Sequence, residues 1–368
     1  MEIVQVAGLF PPHLGGEELV AQQLATMQAR RHNVTVYTSD IDARTMPRRQ
    51  QDGRLQVFRD RAWRVGNTPV LPRLTGRLLR HEPRPDVVHV HVGQALLPEM
   101  VRFGAGWRGV PYVAHVHLMV RPSSTAGRLL LPLYQRTLYA HFLRRAALVI
   151  CLTEAMRRTV VARFGLNPER VAVVPNGVDG EVFTPGPFAG RAPRELLIAG
   201  RLTAQKNVAA AVGAMAHLPR DVTLRVVGDG EDGAALRAQV ARLGLTGVRF
   251  EGRLAPAELA AAYQRATLVL MPSTHEGQPL VLLEAMATGA PVVCSALPEL
   301  VETAGDAALP VEEPTPAALG AAIRALLDDP ARRRRMADAA LRRAATYTWP
   351  AVASAVDELY DRVRAGRG

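Results

Sequence analysis

The chain has 368 residues, 48% hydrophobic and 21% charged, a length and composition suited to two domains with buried cores. No apolar run reaches membrane-spanning length, which excludes a helical membrane protein, and the strand-like start MEIVQVAGLF carries no basic leader or cleavage pattern of a secretory signal. The net charge of +11 is one-sided, with 24 Arg/Lys against 14 Asp/Glu in residues 1–188 and 21 against 20 in residues 189–368. A basic field on one half fits an acidic acceptor or an anionic membrane surface, and nucleic acid is not expected as a partner. The bland counterpart is a solvated arginine-rich face. Cys151 and Cys294 lie in separate apolar runs, LVICLT and PVVCSA, and read as core thiols of a cytoplasmic protein. Lys206, in GRLTAQKN, is the only lysine in a chain that otherwise uses arginine.

In chain order, the first half alternates β-rich runs (EIVQVAG, NVTVYTS, RLQVFR, DVVHVHV, PYVAHVH, ALVICLT, VAVVPN) with helical ones. That alternation predicts a parallel sheet covered by helices. The first strand leads into PPHLGGEELVAQQLA, where Gly15 and Gly16 allow a tight turn and close approach to a ligand before a helix at Glu17. A plain turn explains the same glycines, and their spacing is not the dinucleotide-binding fingerprint, so no NAD site is expected. Asp40-Ile41-Asp42 has the look of a metal-binding Asp-x-Asp but reads as a turn after the second strand. Period two puts His89 with His91, and His115 with His117, on one face of their strands. No carboxylate or thiol joins them at ligand spacing, so no metal is assigned. His117, near its strand end, is read as a substrate hydrogen-bonding group; His91 is open between that role and a structural one. From Leu129 to Leu143 the chain is apolar and aromatic, accompanied by Arg128, Arg136, Arg144 and Arg145. This is either a basic amphipathic helix for an anionic membrane or a helix packed on the sheet with its arginines outward.

The proline- and glycine-rich TPGPFAGRAP marks a boundary. The predicted domains are residues 1–186, joined by a last helix over 350–368 that crosses back to them, and residues 187–349. The second half repeats the doubly wound plan with ELLIAG, TLRVVG, VRFEG, TLVLMPS and PVVCSA. Ligands of open parallel sheets gather at the carboxyl ends of strands, so the cleft between two such domains is the expected site. Gly200 ends one strand and is followed by Arg201 and Lys206, two cations able to hold a diphosphate without a metal. Gly228 ends the next strand, and Gly252 with Arg253 the one after. The last loop, EGQPLVLLE from Glu276 to Glu284, opens an apolar helix that reads as buried on nearly every face, with Pro279 in its first turn. A carboxylate inside such a helix, Glu284, is costly unless something binds it.

The succession GGE, HVH, PNGVD, GRL with a following lysine, VVGDG and EG.P….LEAMA.G.PVV resembles the retaining glycosyltransferases of family 4, over almost the whole chain. The resemblance implies a GT-B fold, two Rossmann-like α/β domains facing a central cleft, with an acceptor-binding first domain and a donor-binding second one. It implies a retaining, metal-independent hexosyltransferase with no bound cofactor. The donor is a nucleoside-diphosphate sugar, a UDP-sugar ahead of a GDP- or ADP-sugar, and the acceptor a hydroxyl on a glycan, lipid-linked or small-metabolite molecule. Carried over by position, Arg201 and Lys206 hold the diphosphate, Glu284 the ribose hydroxyls, and Glu276 the transferred sugar, with the backbone of Gly277, Gln278, Pro279 and Leu280 nearby. Gly15, Gly16, Gly200 and Gly228 allow close approach, His117 lies by the sugar's reacting face, Arg253 and Leu254 contact the base, and Asn176 sits in the hinge turn. The sequence departs from the family at Gln278-Pro279, where an aromatic-glycine pair is frequent, and at Asn207, where glycine is. An epimerase or hydrolase on the same scaffold, or a non-catalytic sugar-nucleotide-binding subunit, is the alternative.

Overall fold

The structure is a computed structural model that describes residues 1–366 apart from 14, 66–67, 94, 120–124, 189–190 and 192–193. The chain divides into two compact units, Met1–Asn176 with Trp349–Gly368, and Gly177–Thr348.

The first unit contains β1 (Glu2–Val6), β2 (Asn33–Ser39), β3 (Arg49–Asp52), β4 (Leu55–Asp60), β5 (Trp63–Val65), β6 (Thr68–Val70), β7 (Val87–Val92), β8 (Tyr112–Val116), β9 (Leu148–Cys151) and β10 (Val171–Val173). Eight of these form one sheet in the order β10-β9-β8-β7-β1-β2-β4-β3, parallel except for β3, while β5 and β6 pair as a separate antiparallel ribbon. Every residue of β7 is buried, as a strand covered by helices on both faces requires. The sequence passes over β3, β5 and β6 because RQQD, WRV and TPV carry no apolar alternation. The helix Trp349–Ala365 belongs to this unit, burying Trp349, Val352, Val356, Leu359 and Tyr360 along one face beside the helix Gly16–Ala29.

The second unit contains β11 (Glu195–Ala199), β12 (Thr223–Val227), β13 (Val248–Gly252), β14 (Leu268–Met271), β15 (Val292–Ser295) and β16 (Ala308–Val311), all parallel in the order β13-β12-β11-β14-β15-β16. Period two divides β11 between two cores: Leu196 and Ile198 pack into one, Leu197 and Ala199 into the other. The division between units falls at 176/177, earlier than the expected 186/187. The intervening stretch packs on the second unit, because Val178 N–H donates to Tyr347 O at 2.8 Å and the Phe183 ring meets Tyr263 at 6.1 Å.

The second sheet's carboxyl edge is drawn together by its backbone. Gly200 N–H donates to Val227 O and Gly228 N–H to Gly252 O. Gly228 has φ +126, and a Cβ there would lie 1.9 Å from Gly200 O. Gly228→Ala therefore combines a forbidden backbone with a collision, and we expect a loss of several kcal/mol. Gly244→Ala, at φ +61 in open space, should lose only about 1–2 kcal/mol. Urea-unfolding midpoints check the difference, and equal losses would contradict the close approach.

Candidate active site

The second unit gathers most of the expected residues at one sheet edge. Gly200, Arg201 and Lys206 follow β11, Gly228 follows β12, and Gly252, Arg253 and Leu254 end and follow β13. The segment from Glu276 to Leu280 lies between β14 and the helix Leu280–Ala287. Two loops at this edge are bound to one another. Gln205 Nε2 donates to His275 O at 3.0 Å, Thr274 N–H donates to Gln205 O at 2.8 Å, and Lys206 Nζ donates to Glu276 Oε1 at 2.7 Å. The lysine side chain is 17% exposed and the glutamate 5%, so the pair is substantially desolvated and each partner needs the other. Asn207 adopts a left-handed conformation, φ 49 and ψ 39, between the turn bearing Lys206 and the following helix. Asparagine tolerates that region, which explains how it replaces glycine there. Arg201 and Arg253 are exposed, and neither has an ion pair among the described residues.

The helix Leu280–Ala287 departs from expectation in two ways. Pro279 is its N-cap, just outside the first turn, with its carbonyl accepting from Leu282 N–H. The burial is also one-sided: Leu282, Leu283, Ala285, Met286 and Ala287 are buried, whereas Leu280, Val281 and Glu284 form a half-buried strip, as positions i, i+1 and i+4 of one face. Glu284 thus sits at the rim of the core. Its Oε2 accepts from Tyr263 O–H at 3.1 Å. Desolvation pushes its carboxyl up to about 7, opposed by the Tyr263 hydrogen bond and the charge of Lys206. Gln278 turns inward, donating from Nε2 to Thr303 Oγ1, so its side chain is committed to the fold and only its backbone faces other roles.

The folded-state value for Glu284 lies above the ordinary 4.5, so its cost to stability is absent below that value and complete above about 7. Glu284→Gln removes the cost. We expect the variant to be more stable at pH 8, by on the order of 2 kcal/mol after allowance for partial exposure, and unchanged at pH 4. Thermal unfolding at the two values checks this, and equal shifts at both would contradict it.

In the first unit, Gly15 and Gly16 lie where β1 leads into its helix. Gly15 has an extended backbone (φ −166) that any residue adopts, and a Cβ there would meet only the carboxylate end of Glu18, at 2.1 Å from Oε2, which a side chain would have to push aside. Gly16 faces open space, and Asn176, 3% exposed, is the unit's last residue before the chain passes to the second. His89, His91, His115 and His117 form one buried group, with His91 opposite His115 across β7 and β8. Burial lowers the pKa of all four. Ring nitrogens of His89, His91 and His115 lie within 4.8 Å of one another. Five of those six nitrogens already take part in hydrogen bonds, to Tyr360, His115, Gln5, His117 and His89; only His115 Nε2 has no partner. No carboxylate or thiolate of the set offsets a divalent charge there, so the fit to a metal is poor.

Sequence reasoning missed Tyr263, Gln205 and a polar group on the first unit's loops, where Asp42 accepts from His13 Nδ1 at 2.7 Å and from Arg64 at 3.0 Å. Asp40 caps Ala62 N–H, so both carboxylates of Asp40-Ile41-Asp42 have protein partners. His13, beside the double glycine, was the one available signal. A cavity of about 820 Å³ in the first unit, lined by Tyr112, Leu148, Arg102, Arg145 and Arg362, opens where β8 and β9 begin, at the opposite edge from His117.

The family model described as Glycosyltransferase Family 4 matches residues 14–182, and that described as Glycosyl transferases group 1 matches residues 189–343. Glycogen synthase of Mycobacterium tuberculosis is 33% identical over 301 residues, which are 77% of this chain and 70% of that protein. Sucrose-phosphate synthase from Thermosynechococcus elongatus superposes with a TM-score of 0.80 at 22% identity, covering 99% of each chain. Anabaena HepE in complex with UDP-glucose superposes with a TM-score of 0.77 at 21% identity, covering 98% of this chain and 99% of that one. With two Rossmann-like units, loops gathered at a strand edge and these matches along most of its length, the chain belongs to glycosyltransferase family 4, enzymes of the GT-B fold that transfer a sugar from a nucleotide sugar.

Proposed function

We propose that this glycosyltransferase is a retaining, metal-independent hexosyltransferase, moving a hexose from a nucleoside-diphosphate sugar to an acceptor hydroxyl. A UDP-sugar is the first candidate, supported by the UDP-glucose held by the structurally similar HepE. The observation that carries the reading is the Lys206–Glu276 pair at 2.7 Å on the same sheet edge as Arg201 and Glu284. The first unit is assigned to the acceptor and the second to the donor. Lys206 and Arg201 take the diphosphate, Glu284 the ribose hydroxyls, Glu276 the transferred sugar through its second oxygen, and Arg253 with Leu254 the base. The backbone of Gly277 to Leu280 serves the sugar, Gly15, Gly16, Gly200 and Gly228 permit close approach, His117 serves the sugar's reacting side, and Asn176 the hinge turn.

Cleaving the sugar–phosphate bond places negative charge on the leaving diphosphate and positive charge on the ring. A lysine held by Glu276 cannot swing away, so its field is already aimed when that charge develops. A nucleoside diol bonded to Glu284 needs the ionised carboxylate as acceptor, and the charge of Lys206 favours that form. Both carboxylates are assigned to binding rather than to attack on the ring, Glu276 with one oxygen on Lys206 and Glu284 with one on Tyr263. That supports attack from the face the diphosphate leaves, with a phosphate oxygen receiving the acceptor's proton.

Lys206→Ala should lower kcat/KM for transfer by on the order of a hundredfold or more, read as nucleotide release in the presence of acceptor. Turnover near that of the unaltered enzyme would overturn the assignment. Release that needs no acceptor would instead favour a hydrolase.

We also assign a peripheral contact with anionic lipid to the first unit. Residues 101–153 contain seven arginines and no Asp or Glu. Trp107 (77% exposed), Phe103, Leu130, Leu133 and Leu138 stand out from the helices of this stretch. No helix among the described residues is long and apolar enough to cross a membrane, so the contact would be superficial. The protein should sediment with vesicles containing phosphatidylserine and remain in the supernatant with neutral ones. Replacing Leu130 and Leu133 by Glu should abolish sedimentation, and absence of binding by the unaltered protein would sink the assignment.

A further inference from the structure

A row of side chains in the first unit leads from the C-terminal helix to His117, and its hydrogen-bond directions are forced. Asp357 Oδ1 lies 2.7 Å from Gln28 Nε2, Gln28 Oε1 lies 2.9 Å from Gln5 Nε2, and Gln5 Oε1 lies 3.1 Å from His91 Nε2. His91 Nδ1 lies 2.9 Å from His117 Nε2, with the two rings stacked at 18°. Gln5 and His91 are fully buried and Gln28 is 1% exposed, so water cannot substitute for a wrongly turned group.

The direction follows from the chemistry of one end. An ionised aspartate only accepts, so Gln28 must turn its amide NH₂ toward Asp357 and its oxygen toward Gln5. Gln5 must then donate to Gln28 and offer its oxygen to His91. His91 must carry its proton on Nε2, which leaves Nδ1 as a lone pair. His117 must therefore carry its proton on Nε2, donating to His91, and its Nδ1 is left as an acceptor. Asp357 is itself held by His32 Nε2 at 3.2 Å from its second oxygen. Among the described residues the one hydrogen bond recorded for the His117 ring is that of Nε2, and His117 lies just past the carboxyl end of β8, 7% exposed where the other three imidazoles are at most 1% exposed.

We propose that Asp357, Gln28 and Gln5 are positioning residues that fix His117 in the Nε2–H tautomer, so that its Nδ1 accepts a hydrogen bond from a carbohydrate hydroxyl. This rests on the glycosyl-transfer reading for the identity of the hydroxyl, but not for the tautomer. The polarity has a consequence for specificity. A fixed acceptor welcomes an O–H donor and disfavours a carboxylate, a phosphate or a carbonyl oxygen at that point.

The tautomer can be read directly, without substrate, from the nitrogen chemical shifts and ring-proton couplings of His117 in the full chain labelled with ¹⁵N-histidine. A protonated Nε2 and bare Nδ1 are expected, and a protonated Nδ1 overturns the proposal whatever the enzyme's activity. Two substitutions of Gln5 supply the functional test. Gln5→Leu removes the acceptor for His91, which then moves its proton to Nδ1 and forces His117 to present Nδ1–H. Gln5→Glu keeps an acceptor for His91, and with it the His117 tautomer, although it adds a buried charge. The leucine variant should be the more stable of the two and yet the less active, with kcat reduced roughly tenfold relative to the glutamate variant. Activity that follows stability instead would reduce the row to a structural role and overturn the proposal. Should either variant fail to fold, the tautomer of the unaltered chain still decides. Should no nucleotide sugar be turned over, the function assigned above fails separately from the tautomer.

Discussion

Lys206 and Glu276 stand 2.7 Å apart in a region with little access to water, and neither is tolerable there alone. Removing one leaves the other as an uncompensated charge, which costs several times more than the pair contributes. The pair therefore binds the loop after β11 to the loop after β14, and the contacts of Gln205 with Thr274 and His275 reinforce the same junction. The approach of Gly228 to the Gly200 carbonyl brings the loop after β12 to the same edge. A single desolvated ion pair thus fixes where the lysine's charge stands, and the sheet's backbone supplies the rigidity to keep it there.

The first unit solves a different problem. Four imidazoles gather on one side of β7 and β8, with His117 just past the end of β8, and burial favours their neutral forms. Neutral imidazole is ambiguous, because either nitrogen can carry the proton. The ambiguity is removed at a distance, by a carboxylate on the helix Trp349–Ala365 acting through two amides. Tyr360, from the same helix, reaches His89 at 2.6 Å. Apolar burial attaches this helix to the unit, and its polar side chains orient what lies beneath.

The fold was legible wherever strands were fully buried. Runs such as VVHVHV and ELLIAG are too apolar to be anything but covered parallel strands, and their alternation with helices dictates the doubly wound plan. Edge elements were illegible because they bury little: RQQD in β3 has no exposed–buried alternation, and its pairing depends on β4. At the site, Lys206 stood out as the single lysine, and Glu276 with Glu284 by their spacing around a helix start. The half-buried face of Glu284 was hidden because Leu280 and Val281 are apolar by composition yet lie toward the open side. Tyr263 and Gln205 could not be found because their partners lie far along the chain, at Glu284 and His275, and no periodicity encodes such pairings. Asp357 was out of reach for the same reason, separated from Gln28 by 329 positions.

That separation also bears on how the chain is made. The helix Trp349–Ala365 leaves the ribosome only after Gly177–Thr348 has emerged. At ordinary elongation rates the second unit takes roughly ten to thirty seconds to synthesise. Throughout that interval the first unit lacks Asp357 and the apolar side of its closing helix, so Gln28 and the flank around it stay uncovered. The unit that begins first is completed after the second, and in the meantime this flank is open to a chaperone or another nascent chain.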